Sequence, residues 1–422
     1  MRALTPIIAL LTAGAVPDAH ASAWDLYGFG ARGSALAGAL AAGAEGGAAA
    51  YYNPAALLAL PEPVLHLGVD WVLPALNIDQ DHPAAQGALT PNPVDMDLGL
   101  HVGLSVPLSG WFERRVALGL GVHHPADGGT RIEAFDPQRP QFFLYQSLPD
   151  KLLLAPAIAF EIAPWLLVGA GVQVLAFIDG EANAAVTLGG RRFTKTGLRV
   201  DILANKAPTA GVLLRPMDDL RVGLTYRHGL DFQYGLPLAL EIEEVGTLSL
   251  VVEGVALYTP PQAEAGVAWQ MSPRLLLLAA VTWAGWSHSP DPAAEVVVDL
   301  QGDKIGRQEL AHAESVPVDL GARDVLIPRI GAEWQASSDW TLRGGLAFRP
   351  TPLPTPTGRT NYIDAPTLTT GLGASWRWID LAAQASWMLP RRVDKTDPSD
   401  PVGGYTAGGP VFRLTAGIAR QL

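Results

Sequence analysis

From Met96 to Val106 the chain is apolar at every second position. Met96, Leu98, Leu100, Val102, Leu104 and Val106 alternate with Asp97, Gly99, His101, Gly103 and Ser105. A helix would scatter that apolar set around its axis, whereas an extended strand puts all six side chains on one face. The same sorting returns at Leu368, Leu372, Ala374, Trp376 and Trp378 against Thr367, Thr369, Gly371, Gly373, Ser375 and Arg377. It recurs at Trp340, Leu342, Leu346 and Phe348 against Thr341, Arg343 and Arg349. A chain built from such segments is all-β.

Alternation alone also fits a soluble antiparallel sheet with one wet face. Three features favour lipid. The segments run to roughly ten residues, enough to cross a bilayer at a tilt. Aromatic residues gather at their ends (Trp111, Phe112, Trp165, Trp283, Trp286, Trp340, Trp378), as an interfacial girdle requires. Six short turns alternate with seven long polar loops, the pattern of bacterial outer-membrane barrels with short periplasmic turns and longer external loops. The expected strands are 64–73, 95–106, 115–123, 151–162, 166–178, 198–214, 220–231, 262–271, 274–286, 325–336, 340–349, 367–378, 379–389 and 411–422. Fourteen is even, so both termini face the periplasm. The short turns fall near Leu108 to Arg114, Ala163 to Trp165, Arg215 to Asp219, Ser272-Pro273, Ser337 to Asp339 and the Trp378/Ile379 junction, and the largest loop runs from Ser287 to Asp324.

Composition agrees. Hydrophobic residues make up 49% and charged residues 17%, with 45 Gly and 12 Trp. Leu152 to Ile178 carries one formal charge, Glu161, but Pro156, Pro164, Gly169 and Gly171 break it as a helix, so it reads as two strands joined at Ala163-Pro164-Trp165. A net charge of -12, with no basic run to supply phosphate contacts, argues against nucleic-acid binding. With no cysteine, disulfides and thiolate metal sites are absent. His123-His124 lacks metal-site spacing and reads as a surface feature; no metal or cofactor is expected. The acidic loop segments Glu241-Ile242-Glu243-Glu244 and Asp394 to Gly404 read as solvated outer loops.

The first residues read as a secretory signal. Arg2 precedes an apolar core from Leu4 to Val16, and Ala19-His20-Ala21 offers a cleavage site before Ser22, with a cut after Ala23 as the alternative. The expected division is 1–21 signal peptide, 22–61 N-terminal hatch and 62–422 barrel. Trp24 to Pro61 is too Gly/Ala-rich for a strand and suits short helices packed closely on other backbone inside a lumen.

Gly30-Ala31-Arg32-Gly33-Ser34-Ala35-Leu36-Ala37-Gly38-Ala39, followed by Ala49-Ala50-Tyr51-Tyr52-Asn53-Pro54-Ala55-Ala56-Leu57, resembles the hatch of the long-chain fatty acid and aromatic hydrocarbon transporter family of outer membranes (FadL type). Leu220 to Arg227, Ala263 to Gln270 with Val281 to Ser287, and Pro328 to Phe348 are similar to strand regions of that family. The resemblance implies an all-β, 14-stranded antiparallel transmembrane β-barrel with an N-terminal plug of short helices in the lumen. It implies passive uptake of hydrophobic molecules: an apolar groove among external loops collects the ligand, a lumen pocket binds it, and it leaves sideways through an opening made by an inward kink of a strand. By motif match Asn53, Pro54 and Ala55 are the hatch or gating residues. Asn53 would satisfy its amide against buried backbone, and Pro54 would fix the turn. Arg199, Arg221 and Arg227, on polar strand faces, are candidates for meeting a ligand's carboxylate, against the alternative of a structural charge network. The last strand sends Phe412, Leu414, Ala416 and Ile418 outward and ends on Leu422, where such barrels usually finish with an aromatic.

The implied partners are a hydrophobic small molecule, outer-membrane lipid and the barrel assembly machinery, with a monomer expected. No P-loop pattern or energy-coupling box is visible, so transport would run down a gradient. Three other readings stay open: a general or selective porin, a structural barrel, and an outer-membrane enzyme. For the last, Ser105 and His101 share a lumen face but stand about 13 Å apart along one strand, beyond hydrogen-bond reach.

Overall fold

The structure, a computed structural model, describes residues 28–81, 91, 94, 96–108, 115–126, 138–146, 152–186, 193–242, 246–290, 295–302, 308–314, 320–358, 360–395 and 402–422. For 176–186, 193–204, 231–242, 246–257, 295–302 and 308–314 it describes the backbone path. The expected signal peptide therefore lies outside the described residues.

Fourteen antiparallel strands form one closed sheet. The first seven are β1 (Val64–Pro74), β2 (Asp97–Pro107), β3 (Val116–Pro125), β4 (Leu153–Ala163), β5 (Leu166–Val186), β6 (Phe193–Met217) and β7 (Leu220–Arg227). The second seven are β8 (Gln262–Ser272), β9 (Leu275–Ala284), β10 (Val325–Gln335), β11 (Trp340–Arg349), β12 (Thr367–Trp376), β13 (Ile379–Val393) and β14 (Tyr405–Gln421). Each strand pairs with its neighbour in sequence, and β1 pairs with β14 from Val64↔Gln421 to Pro74↔Val411. That last ladder shuts the cylinder and removes the free edges an open sheet would expose.

The expected strand count holds, and most boundaries fall within two or three residues. The β12–β13 turn sits at Arg377-Trp378, with Arg377 at φ 54°, not at the Trp378/Ile379 junction. The reading of Leu152 to Ile178 as two strands is also met, by β4 and β5.

Polarity is inverted relative to a soluble fold. Leu98, Leu100, Leu326, Ile330, Leu372 and Trp376 stand exposed on the outer wall, while Asp97, His101 and Ser105 of the same β2 face are buried inside. The period of two in the sequence is thus a lipid face alternating with a lumen face.

The outer ends carry more structure than polar loops. β5 and β6 stay paired well past their neighbours, out to Val186↔Phe193. Segments Leu230–Ile242, Gly246–Thr259, Glu295–Gly302 and Gln308–Glu314 form a separate four-stranded sheet drawn from two loops. The reading of Glu241-Ile242 as loop is corrected here. Their alternating Leu, Val and Ile residues could pair because hairpin partners lie close in sequence.

The hatch fills the lower lumen with α1 (Gly30–Ala35), a 3-10 turn (Gly46–Ala48), α2 (Ala49–Tyr52) and a second 3-10 turn (Pro54–Leu58). Leu36, Leu40, Ala49, Tyr51, Leu57 and Leu58 are all nearly inaccessible. Wall glycines make the close approach possible. A Cβ at Gly345 would run into the Leu36 backbone, one at Gly371 into Ser34 and Ala35, and one at Gly223 into Ala41.

Candidate functional site

Three layers stack along the barrel axis. At the outer mouth, inward-folded loops bury an apolar cluster that includes Phe142, Phe143, Tyr145, Trp286, Leu353 and Tyr362. A two-residue parallel bridge, Gln141–Phe142 against Tyr362–Ile363, ties two of these loops together. The family resemblance implied an apolar groove among the external loops, but residue patterning read the loops as solvated and did not say which side chains form it. The signal was present as four consecutive apolar residues, Phe142-Phe143-Leu144-Tyr145, without the alternation of a membrane strand.

Beneath that cluster lies a cavity of about 70 Å³, floored by the hatch residues Gly28, Ala37, Gly38, Tyr51 and Tyr52. Its wall is polar, with Arg227, Arg329, Arg349, Glu264, Gln384 and Ser386. Arg227 is 6% exposed; it donates to Gln262 Oε1 at 2.8 Å and to the Tyr51 carbonyl at 3.3 Å, and stacks on the Tyr51 ring at 4.8 Å. Glu264 Oε2 lies 3.5 Å from the same guanidinium. Arg349 grips Asp364 through two hydrogen bonds of 2.8 Å. Arg329 differs: it donates to Thr282 Oγ1 and has no carboxylate partner among the described residues. Three guanidiniums thus face two carboxylates here. Burial pushes the Tyr52 and Tyr145 phenols above their ordinary range, so both stay neutral. Among the described residues, Glu264 Oε1 and Gln384 Oε1 have no hydrogen-bond partner although both residues are more than nine-tenths buried.

The third layer is the hatch and its anchorage. Asn53 is fully buried. Its Nδ2 donates to the Ala41 carbonyl at 2.7 Å and the Val212 carbonyl at 3.1 Å, and its Oδ1 accepts from the Ala55 N–H at 3.1 Å. It therefore caps the turn begun by Pro54 and fastens the hatch to β6. On the periplasmic side Arg32 donates to the Gly43 carbonyl at 2.6 Å and pairs with Glu333, which also accepts from Arg343 at 2.6 Å. An open vestibule of about 660 Å³ lies below, lined by Arg32, Glu45, Arg221, Glu333 and Arg343 among others.

The three arginines singled out from sequence separate in space. Arg227 lines the cavity. Arg221 lies on the opposite, periplasmic side of the hatch, 3.4 Å from Glu45. Arg199 belongs to the projecting part of β6, where its Cα partners Glu181 and only its backbone is described. Arg329 was missed because inward arginines look alike in sequence; only its lack of a carboxylate partner sets it apart. His123 is a further correction: it is buried and turned inward beside Gly99, while His124 is exposed. No cluster of metal-ligating side chains occurs among the described residues.

Residues 12–385 match the family described as outer membrane protein transport protein (OMPP1/FadL/TodX). The sequence is 26% identical over 399 residues, 88% of this chain and 84% of the other, to alkane uptake protein A of Marinobacter nauticus. A Pseudomonas aeruginosa FadL homologue superposes with a TM-score of 0.58 at 19% identity, covering 96% of this chain and 98% of its own. The P. putida toluene transporter TodX gives 0.57 at 16% identity, covering 94% and 99%.

Proposed function

The chain belongs to the outer membrane protein transport family (OMPP1/FadL/TodX), and from that premise we propose how it takes up hydrophobic compounds across the outer membrane. The ligand is a long-chain molecule with an oxygen-bearing head, a fatty acid foremost. Its chain lies in the apolar mouth around Phe143, Trp286 and Leu353, and its head enters the cavity beside Arg329. Each buried methylene contributes about 0.8 kcal/mol, so the chain supplies most of the affinity and a water-filled pore would supply none of it. The head supplies orientation.

One observation carries the reading: Arg329 brings an unmatched positive charge to a cavity directly beneath an apolar cluster. A carboxylate accepting from a guanidinium forms a charge-assisted hydrogen bond, worth about 1.5–3 kcal/mol. Arg227 keeps Glu264 from repelling that carboxylate. Uptake is passive, the ligand leaves sideways into lipid, and the hatch blocks polar solutes. Asn53, Pro54 and Ala55 hold the hatch closed, so gating would begin by loosening that triplet. The reading is of transport rather than catalysis, and the His101 that a catalytic reading would use meets Asp70 through Nδ1 at 3.1 Å and packs on Phe29, while Asp70 also pairs with Arg413.

Uptake of radiolabelled palmitate and hexadecane by cells carrying the protein or Arg329→Gln tests this. Palmitate uptake by the variant falls about tenfold or more, matching the lost bond, while hexadecane uptake is unchanged. Equal palmitate uptake by both proteins would remove the head-group assignment and leave an alkane-type ligand, the compound class named for the Marinobacter relative.

A further inference from the structure

The cavity is smaller than the ligands of the uptake reading. It measures about 70 Å³, whereas a cavity of about 150 Å³ holds a single benzene. One of its boundaries must therefore move to admit a hydrocarbon chain, and the wall, the hatch and the roof are the three to choose from. The wall is a closed sheet, with a backbone ladder between every pair of neighbouring strands. The hatch is pinned by Asn53 and lies against Gly345 and Gly371 so closely that a Cβ at either would strike its backbone. The roof is held by much less.

It is segment 138–146 of the β3–β4 connection, which buries Phe142, Phe143, Leu144 and Tyr145 in the mouth and turns Tyr145 to the cavity. Its backbone joins no strand of the barrel; it pairs over two residues with Tyr362–Ile363 of the β11–β12 connection. Beside that bridge, the Gln141 N–H donates to the Asn361 carbonyl at 3.1 Å, and Asn361 Nδ2 donates to the Gln138 carbonyl at 2.8 Å. Asn361 is 1% exposed, and its Oδ1 accepts from the Tyr405 hydroxyl of β14 at 3.1 Å. The partner connection is fixed to the wall. Arg349 of β11 grips Asp364, and Arg391 of β13 donates to the Leu353 carbonyl at 3.0 Å and the Asp364 carbonyl at 2.6 Å. A short bridge to a fixed post gives the segment one closed position. A hydrocarbon sliding beneath it would exchange apolar contacts for apolar contacts, so release need not put that surface into water. We infer that segment 138–146 is an entry lid latched by Asn361, which must lift off Tyr362–Ile363 before a ligand arriving from outside can reach the cavity. The inference rests on the uptake reading and adds the step that fills the cavity, and the two can fail separately.

Because the chain has no cysteine, a paired-thiol lock tests it cleanly. Gln141→Cys/Tyr362→Cys, partners across the bridge, would be oxidised to a disulfide, and Leu368→Cys/Trp387→Cys, partners on the β12–β13 ladder, would serve as control. Locking the lid should slow palmitate and hexadecane uptake about fivefold or more, with recovery on reduction, while oxidising the control pair should change nothing. Recovery on reduction shows that the barrel had folded. Wild-type uptake with the lid fully locked would overturn the lid and leave transport standing.

A second measurement does not depend on transport. Nitroxides on Gln138→Cys of the lid and Thr357→Cys of the fixed connection, in protein held in lipid vesicles, should report one distance without ligand and an added longer one with palmitate. Asn361→Ala in the same labelled protein should populate the longer distance without palmitate. One unchanged distance in all three samples would reject the lid even if uptake proceeds. A palmitate-dependent longer distance combined with no uptake of either compound would keep the lid and reject the transport reading.

Discussion

Asn53 spends its whole side chain on the hatch: two donated bonds to carbonyls on different segments and one accepted bond at the following turn. No water reaches it, so Asn53→Ala leaves two carbonyls and one N–H without those partners. Each orphaned group costs about 1–3 kcal/mol. The loss falls on the hatch rather than on the barrel ladders, so the expected result is faster protease cleavage within residues 28–60 and greater sensitivity of cells to bulky polar antibiotics, with the folded barrel band on gels unchanged. Asn53→Asp should be no better, because it keeps the cap acceptor but loses both donors and buries a charge. The motif around Asn53 was legible in sequence as a hatch signature, and so was the expectation that its amide meets buried backbone. Which carbonyls it meets was not, since Val212 is 159 residues away. Arg329 lay beyond reach for the opposite reason: nothing local distinguishes a paired from an unpaired arginine.

Strands and hatch meet through absent side chains. Gly345 sits under the Leu36 backbone, and a Cβ there would overlap backbone atoms that cannot rotate away. Gly345→Val therefore forces the hatch off the wall while leaving a better strand residue in β11. The expected outcome is a normally assembled barrel with a dislodged hatch, seen as raised ion conductance in planar bilayers. Gly344, whose added Cβ would make only ordinary contacts, with Leu372 at 3.6 Å and the Gly371 carbonyl at 3.8 Å, is the control and should conduct no more than the parent when changed to Ala. Strand positions were readable because lipid imposes a period of two on each segment. The glycines inside those strands were readable only as lumen-facing, since their purpose depends on a segment far away in sequence. Loops lack any such imposed period, so the external sheet went unseen and the apolar groove that the family resemblance implied among the loops could not be assigned to residues.

At the scale of the whole molecule the interior is where charge resides, and an unpaired ion there is costly. Arg413 on β14 is 2% exposed and lies 2.7 Å from Asp70 on β1, which also meets His101 on β2 at 3.1 Å. This cluster spans the closure of the cylinder. Each member was legible as a lumen residue by alternation, but their meeting requires knowing that the first and last strands pair, with Asp70 opposite Thr415. Removing one partner of a buried pair typically costs 3–5 kcal/mol, because the survivor keeps its desolvation penalty, whereas replacing both can be nearly neutral. Arg413→Leu should therefore lower the urea midpoint of the refolded barrel in detergent by an amount corresponding to about 3–5 kcal/mol. Asp70→Asn combined with Arg413→Leu should recover most of that loss, since the double change removes both charges together. Additive losses in the double variant would mean that the cluster does not act as a unit, and that the β1–β14 ladder alone holds the cylinder shut.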